Sequence, residues 1–241
     1  MIDWLRRAPD ELPRLEVGGR LLPVVLRRLP QAKRMTLRLA PDGTEVRVSL
    51  PRWGRSAEAL AFARSRADWL ARQLAAVPPP PALAHGGTVP LHGELLELRH
   101  DPLAPRRPAV EGGALVVGGP EASLRPRLQR WLEDQARRTM AQDLAEYCTR
   151  ADRAVPKLAL SRAQRRWGSC ARDGTIRLNW RLVMAPPHVR RSVVAHEVAH
   201  LVHFDHGAAF HALLGALYEG DLRAANRWLK REGRGLYAWF G

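Results

Sequence analysis

Hydrophobic positions change period along this chain, and each change marks an element. Met35, Leu37 and Leu39 alternate with polar residues, Pro41-Asp42-Gly43 turns the chain, and Val46, Val48 and Leu50 alternate again. Period two on both sides of a turn predicts a β-hairpin with one buried face. Residues 15–50 read as strands, ended by Pro51. After Ser56, a residue suited to a helix N-cap, Leu60, Ala63, Ala67, Leu70 and Leu74 fall at helical spacing. They predict one helix to about Val77, with Trp69 in the core. Pro78 to Pro81 stops it and is the sharpest break in the sequence. Residues 82–122 are rich in Gly and Pro, with short alternations at 91–98 and 114–117. They predict small strands continuing the N-terminal sheet. No internal repeat is evident.

From Leu124 to Arg150 the period is again helical, with Leu128, Trp131, Leu132, Met140, Leu144 and Tyr147 on one stripe. Next comes Gln164-Arg165-Arg166-Trp167-Gly168-Ser169-Cys170, an Asp173-Gly174 turn signal, and Ile176 to Leu182 with every second residue apolar. That is a second hairpin. Its strand near 176–180 is expected to flank a cleft and offer an edge to an extended peptide. Pro186-Pro187 opens a helix. Two further helices are predicted at about 208–218 and 222–231, and the aromatic tail from Leu236 to Phe240 is expected to pack back on the body. His85, His92, His100 and His188 are isolated and read as solvated.

The helix after Pro187 carries the chemistry. His196-Glu197-Val198-Ala199-His200 reads H-E-x-x-H inside an apolar run. Residues four apart share a helix face about 6 Å apart. Two imidazoles so placed can hold one Zn2+, and Glu197 can reach a metal-activated water as general base.

A catalytic zinc needs a third protein ligand. His206 would lie about 9 Å too far along a continuing helix. Phe204-Asp205-His206-Gly207 offers a break, with Gly207 free to take a positive φ. Glu219, delivered by a later helix, is the alternative. His203 lies on the same face as His196 and His200 but farther along, as a neighbour of the site.

These blocks in order, Trp167-Gly168-Ser169-Cys170, Ile176 to Leu182, Ala185-Pro186-Pro187, His196 to His200 and His206-Gly207-Ala208-Ala209-Phe210, resemble the YgjP-like metal-dependent hydrolases, relatives of the SprT-like zincin metallopeptidases. The likeness reaches the N-terminal half through Lys33 to Leu39 and Val46 to Pro51, and is weak over 78–122. It implies His196, His200 and His206 as ligands of one Zn2+ per chain and Glu197 as catalytic base. His203 stands where metzincins carry a glycine, and His211 stands where the family has an aromatic after Phe210.

The expected fold is therefore α+β. Residues 1–122 form a β-rich N-terminal domain with one helix and a break at 78–81, and residues 123–241 form a zincin-like hydrolase domain. The expected activity is that of a zinc metallopeptidase acting on a peptide or protein. The alternatives are hydrolysis of a nucleotide phosphoanhydride, or nucleic-acid binding with a structural metal.

Composition shapes the partners. The net charge is +15 and only Lys33, Lys157 and Lys230 are lysines, so the surface is arginine-rich. Such charge favours nucleotides or nucleic acid, although the arginines are scattered and the bias also fits GC-rich coding. Arg165 and Arg166 stand beside the expected cleft and, with Asn179, are the candidates for holding substrate or an oxyanion. No apolar run approaches the ~18 residues that span a bilayer, and Met1 to Asp10 lacks a signal-like core. With two unframed cysteines, Cys148 and Cys170, the expectation is a cytoplasmic protein without a membrane partner.

Overall fold

The computed structural model describes residues 12–77 and 81–240. The first eleven residues, residues 78–80 of the proline run and Gly241 lie outside the described residues. The described chain forms two compact units that divide at that run.

The first unit is a four-stranded sheet with two helices. Strands β1 (Arg14–Val17), β2 (Arg20–Leu29), β3 (Thr36–Leu39) and β4 (Val46–Pro51) lie in the order β1-β2-β4-β3. The predicted hairpin is β3 and β4, antiparallel with Leu37 opposite Val48 and Leu39 opposite Val46. Alternation does what period two requires, since Val46, Val48 and Leu50 are fully buried. The expected single helix is two, α1 (Ser56–Arg64) and α2 (Ala67–Ala75). The Ser65 hydroxyl donates to the carbonyl of Phe62, a local bond that competes with helix continuation. The break lets Ala59 and Ala63 of one helix and Leu70 and Leu74 of the next reach the same core. Trp69, expected in that core, is 38 % exposed.

In the second unit, β5 (Thr88–Leu91), β6 (Glu94–His100), β7 (Ala109–Glu111) and β8 (Ala114–Val117) form a sheet of their own, in the order β5-β6-β8-β7. It does not continue the first sheet, yet it repeats its topology. Both run antiparallel, parallel, antiparallel across the order, a likeness that the sequences do not display. Val89, Leu98, Leu115 and Val117 share one core with α3 (Leu124–Arg150). A boundary at 122 would cut that core. The sheet has an apolar face but no helices of its own, so it belongs with the helix that covers it.

Strands β9 (Leu158–Ser161), β10 (Gly168–Cys170) and β11 (Ile176–Asn179) complete the β-structure in the order β10-β11-β9. The hairpin of β10 and β11 turns at Gly174, whose φ of +81° suits glycine. The strand expected to be an open edge, β11, is the central one, paired with β9 as well, and the edge strands are β10 and β9. Strand β11 stops at Asn179, because Trp180–Val183 coils into a buried 3-10 turn capped by the Asn179 side chain. Helices α4 (Pro187–Ala199), α5 (Ala208–Leu217), α6 (Leu222–Arg231) and α7 (Leu236–Phe240) follow. The aromatic tail packs as expected. Phe240 meets Trp180 edge-on at 5.9 Å, Tyr237 tilts on Trp167 at 5.6 Å, and the Arg181 guanidinium donates to the carbonyl of Phe240 at 2.7 Å. Two of the isolated histidines are not merely solvated. His92 is half-buried 3.2 Å from Arg190, and His100 lies 2.7 Å from the Gly119 carbonyl. Among the described residues no helix is long and apolar enough to cross a membrane.

Candidate metal centre

Helix α4 begins with Pro187 in its first turn, where a missing N–H costs nothing. Val189, Val194, Ala195 and Val198 bury its apolar face. Near its N-terminal end, Arg190 Nε lies 2.6 Å from Asp143 Oδ2, with both side chains about 5 % exposed. Arg191 reaches Asp143, Glu146 and Glu219, and Glu219 also accepts from Tyr147 and Arg150, both at 2.8 Å. Burial works against the Glu219 charge, but bonds from Arg191, its own backbone, Tyr147 and Arg150 hold its pKa at about 2. Glu219 is thus committed to this ion network and is not among the three residues that converge as a metal group.

The other end of α4 is different. The helix stops at Ala199 and His200 is its C-cap. The chain then turns, as the break at 204–207 predicts. The turn is held by Asp205 Oδ1, which accepts the Gly207 N–H at 2.8 Å. Gly207 is extended (φ −72°) rather than left-handed. Its lack of a side chain matters for room, because a Cβ there would meet Asp205 Oδ1 at 2.9 Å.

The turn returns His206 to the helix. Nε2 of His196 lies 3.2 Å from Nε2 of His200 and 3.3 Å from Nε2 of His206. Among the described residues these three histidines form one group with ligand atoms within 4.8 Å of one another. Bond lengths of 2.0–2.1 Å in a tetrahedron give donor separations of about 3.3 Å, so the donor set fits one metal ion. His200 Nδ1 is 2.9 Å from the His203 carbonyl. A proton there leaves the Nε2 lone pair facing its neighbours. His203 therefore serves the site through its backbone. Burial, and then the nearby His200, His206 and His211, push the His196 pKa down to about 4 and keep its imidazole neutral. Phe210, fully buried on α5, contacts all three rings with centroids 4.6–5.0 Å away and fixes their orientation.

Glu197 is 5 % exposed. Burial raises its pKa to about 7 against the Arg166 charge and a hydrogen bond from the Cys170 backbone N–H. The Trp-Gly-Ser-Cys block explains itself here. A Cβ on Gly168 would lie 2.6 Å from Glu197 Cγ, so only glycine lets β10 pass this close. The Cys170 thiol is pushed up by burial and by the charges of Glu197 and Asp173, opposite to what a nucleophile needs.

Both His196 and Glu197 line a cleft of about 470 Å3, whose wall is largely apolar through Trp167, Val193, Phe210, Leu214 and Leu222. The candidates for holding substrate fare unequally. Arg165 and Arg166 are exposed and do not line the cleft, although the Arg166 charge reaches Glu197. Asn179 is fully buried. Its amide donates to the Ala163 carbonyl and Tyr237 hydroxyl, and its oxygen accepts the Arg181 N–H. It is a structural residue with no atom left for substrate. Besides His196, Glu197 and Ser192, whose hydroxyl donates to the Val189 carbonyl, the polar side chains that line the cleft include His211, Arg223 and Asn226. Arg223 and Asn226 sit on α6, three apart on one face, and nothing in the local sequence links that helix to the motif.

The model of a family described as YgjP-like, metallopeptidase domain, matches residues 33–232. No curated protein and no solved structure matches the chain. A match running from the edge of the first hairpin to the end of α6 covers most of the sequence and every residue of the three-histidine centre, so the chain belongs to the YgjP-like family.

Proposed function

We propose that the protein is a zinc-dependent peptidase with Glu197 as its general base. One observation carries the reading: three imidazole nitrogens converge at tetrahedral spacing beside a buried carboxylate that has no cationic hydrogen-bond partner among the described residues. Zinc held by His196, His200 and His206 would supply Lewis acidity, acidifying water in its open position and polarising a carbonyl.

Everything else falls to the chain. Glu197, set near neutrality by burial, takes the proton of the attacking water and hands it to the leaving amine. Beside a bound cation Glu197 would have its pKa drawn down and would be ready to act as a base. The Cys170 N–H and the close passage of Gly168 hold the carboxylate in place. Arg223, Asn226 and His211 are the groups that meet the substrate, and the apolar wall takes a side chain. That wall favours a peptide over a phosphoanhydride, which would need several cations where the cleft offers Arg223 alone among its arginines and lysines.

The test is metal content by mass spectrometry on untagged protein, followed by a labelled peptide mixture and a nucleotide panel with wild type and Glu197→Gln. About one zinc per chain, and peptide cleavage lost in the variant, is the expected result. Nucleotide cleavage without peptide cleavage would overturn the substrate class, and protein that takes up no zinc would overturn the mechanism.

A further inference from the structure

Away from the cleft, the second unit holds a second concave site built from arginine. A pocket of about 230 Å3 is lined by Arg106, Arg107, Arg127, Arg130, Arg138 and Trp131, with Asp134 as its single acid. Residues 127, 130, 131, 134 and 138 follow helical spacing, so one face of α3 presents three guanidiniums over about 16 Å. The other two come from the loop between β6 and β7. That loop is fixed by Gly118 N–H to Pro105 O at 2.9 Å and Gly119 N–H to Pro102 O at 3.2 Å. A Cβ on Gly118 would collide with the Ala104 carbonyl, so glycine is what allows the loop to sit so close.

Two observations mark this as a site awaiting a ligand. Among the described residues, none of the five arginines forms an ion pair. Surface guanidiniums repel each other when gathered without carboxylates. The arginines of the α4 network, by contrast, are all matched with acids. In addition, Arg127 Nη1 is buried without a hydrogen-bond partner, while Nε and Nη2 of the same group bond Ser123 and Pro120 at the start of α3. Buried polar groups are almost always satisfied, and the exceptions point to something missing.

We propose that this pocket binds the phosphate backbone of a nucleic acid strand. Five guanidinium forks against one carboxylate match phosphate in geometry and charge. Their spread along α3 exceeds a single phosphate and suits successive phosphodiesters. The site shares no residue with the metal cleft and stands whether or not the peptidase reading holds.

The test uses full-length protein and fluorescein-labelled 20-nucleotide single- and double-stranded DNA, followed by anisotropy over a salt series. Arg127 is left intact because its bonds hold the start of α3. Arg130→Gln/Arg138→Gln on the helix, and separately Arg106→Gln/Arg107→Gln on the loop, are compared with Arg64→Gln/Arg72→Gln on the helices of the first unit. Circular dichroism and zinc content check each fold, and the loop pair keeps the test alive if the helix pair misfolds. Each pocket pair should weaken binding about tenfold and lower the salt slope by about 1.5, with the control pair changing affinity less than threefold. Equal losses in all three pairs would assign binding to diffuse charge and overturn the site. Wild type that ignores both DNAs, or whose bound DNA is displaced by millimolar phosphate as well as by unlabelled DNA, would overturn the nucleic-acid assignment.

Discussion

The two ends of α4 carry comparable densities of polar side chains and do opposite things with them. Near the N-terminal end, Arg190 and Arg191 meet Asp143, Glu146 and Glu219, so donors and acceptors cancel within the protein. At the other end, three lone-pair nitrogens face one another and a buried carboxylate stands beside them without, among the described residues, an arginine or lysine in hydrogen-bond contact. Like faces like there, and that costs free energy unless a cation joins them. Opposite charges brought together hold the helix, while like groups brought together wait for a ligand. The same distinction separates the ion network from the arginine pocket on α3.

The comparison breaks most decisively at the histidines. His200→Ala and His206→Ala should each abolish stoichiometric metal and all turnover, with little change in the circular dichroism spectrum. If His206→Ala retains its metal at wild-type affinity, the turn after α4 is not part of the centre. Glu197→Gln should keep the metal and lower kcat about 10^2–10^4-fold, and unchanged kcat would remove Glu197 from the chemistry.

At the paired end the effect should fall on stability. Asp143→Ala leaves the Arg190 charge buried and should cost roughly 3–5 kcal/mol, read as a lower urea midpoint at constant m-value. A loss below about 1 kcal/mol would mean that water already reaches the pair.

A pH series sharpens the contrast. In metal-free protein Glu197 sits at about 7, against 4.5 in the unfolded chain. A raised folded pKa gives stability that is complete below the unfolded value and lost as pH rises through the folded one. Wild type should therefore weaken relative to Glu197→Gln between about pH 4.5 and pH 8, by on the order of 3 kcal/mol. Urea melts of both proteins in chelator measure this, and a gap independent of pH would show the carboxylate to be solvated. Glu219 runs the other way. Its folded pKa is depressed to about 2, so its contribution is present above 4.5 and disappears as pH falls toward 2. Its side chain is 45 % exposed, so Glu219→Gln should cost under about 1 kcal/mol at neutral pH. A cost of several kcal/mol would make this carboxylate a principal support of α4.

Much of this was legible in the chain. Period-two and period-3.6 patterns are local, and they located the first hairpin, α3, the helix carrying the motif and the two helices after it. The histidine spacing is equally local, because four residues on a helix fix a distance. Where the sequence misled, the deciding contact lay far away. Asn179 looked available beside the motif, yet Ala163 and Tyr237 take its amide. Residues 82–122 looked like more of the first sheet, yet Leu98 and Leu115 pack with α3. The sequence alone determined which residues could bind a metal and that the chain must break to bring in a third. Only tertiary structure decided that His206 rather than Glu219 closes the group, that Phe210 lies beneath it, and that Arg223 and Asn226 face the cleft. Periodicity reports which side of an element is apolar, whereas the choice between two candidate ligands depends on which other charges surround each one after the chain has packed.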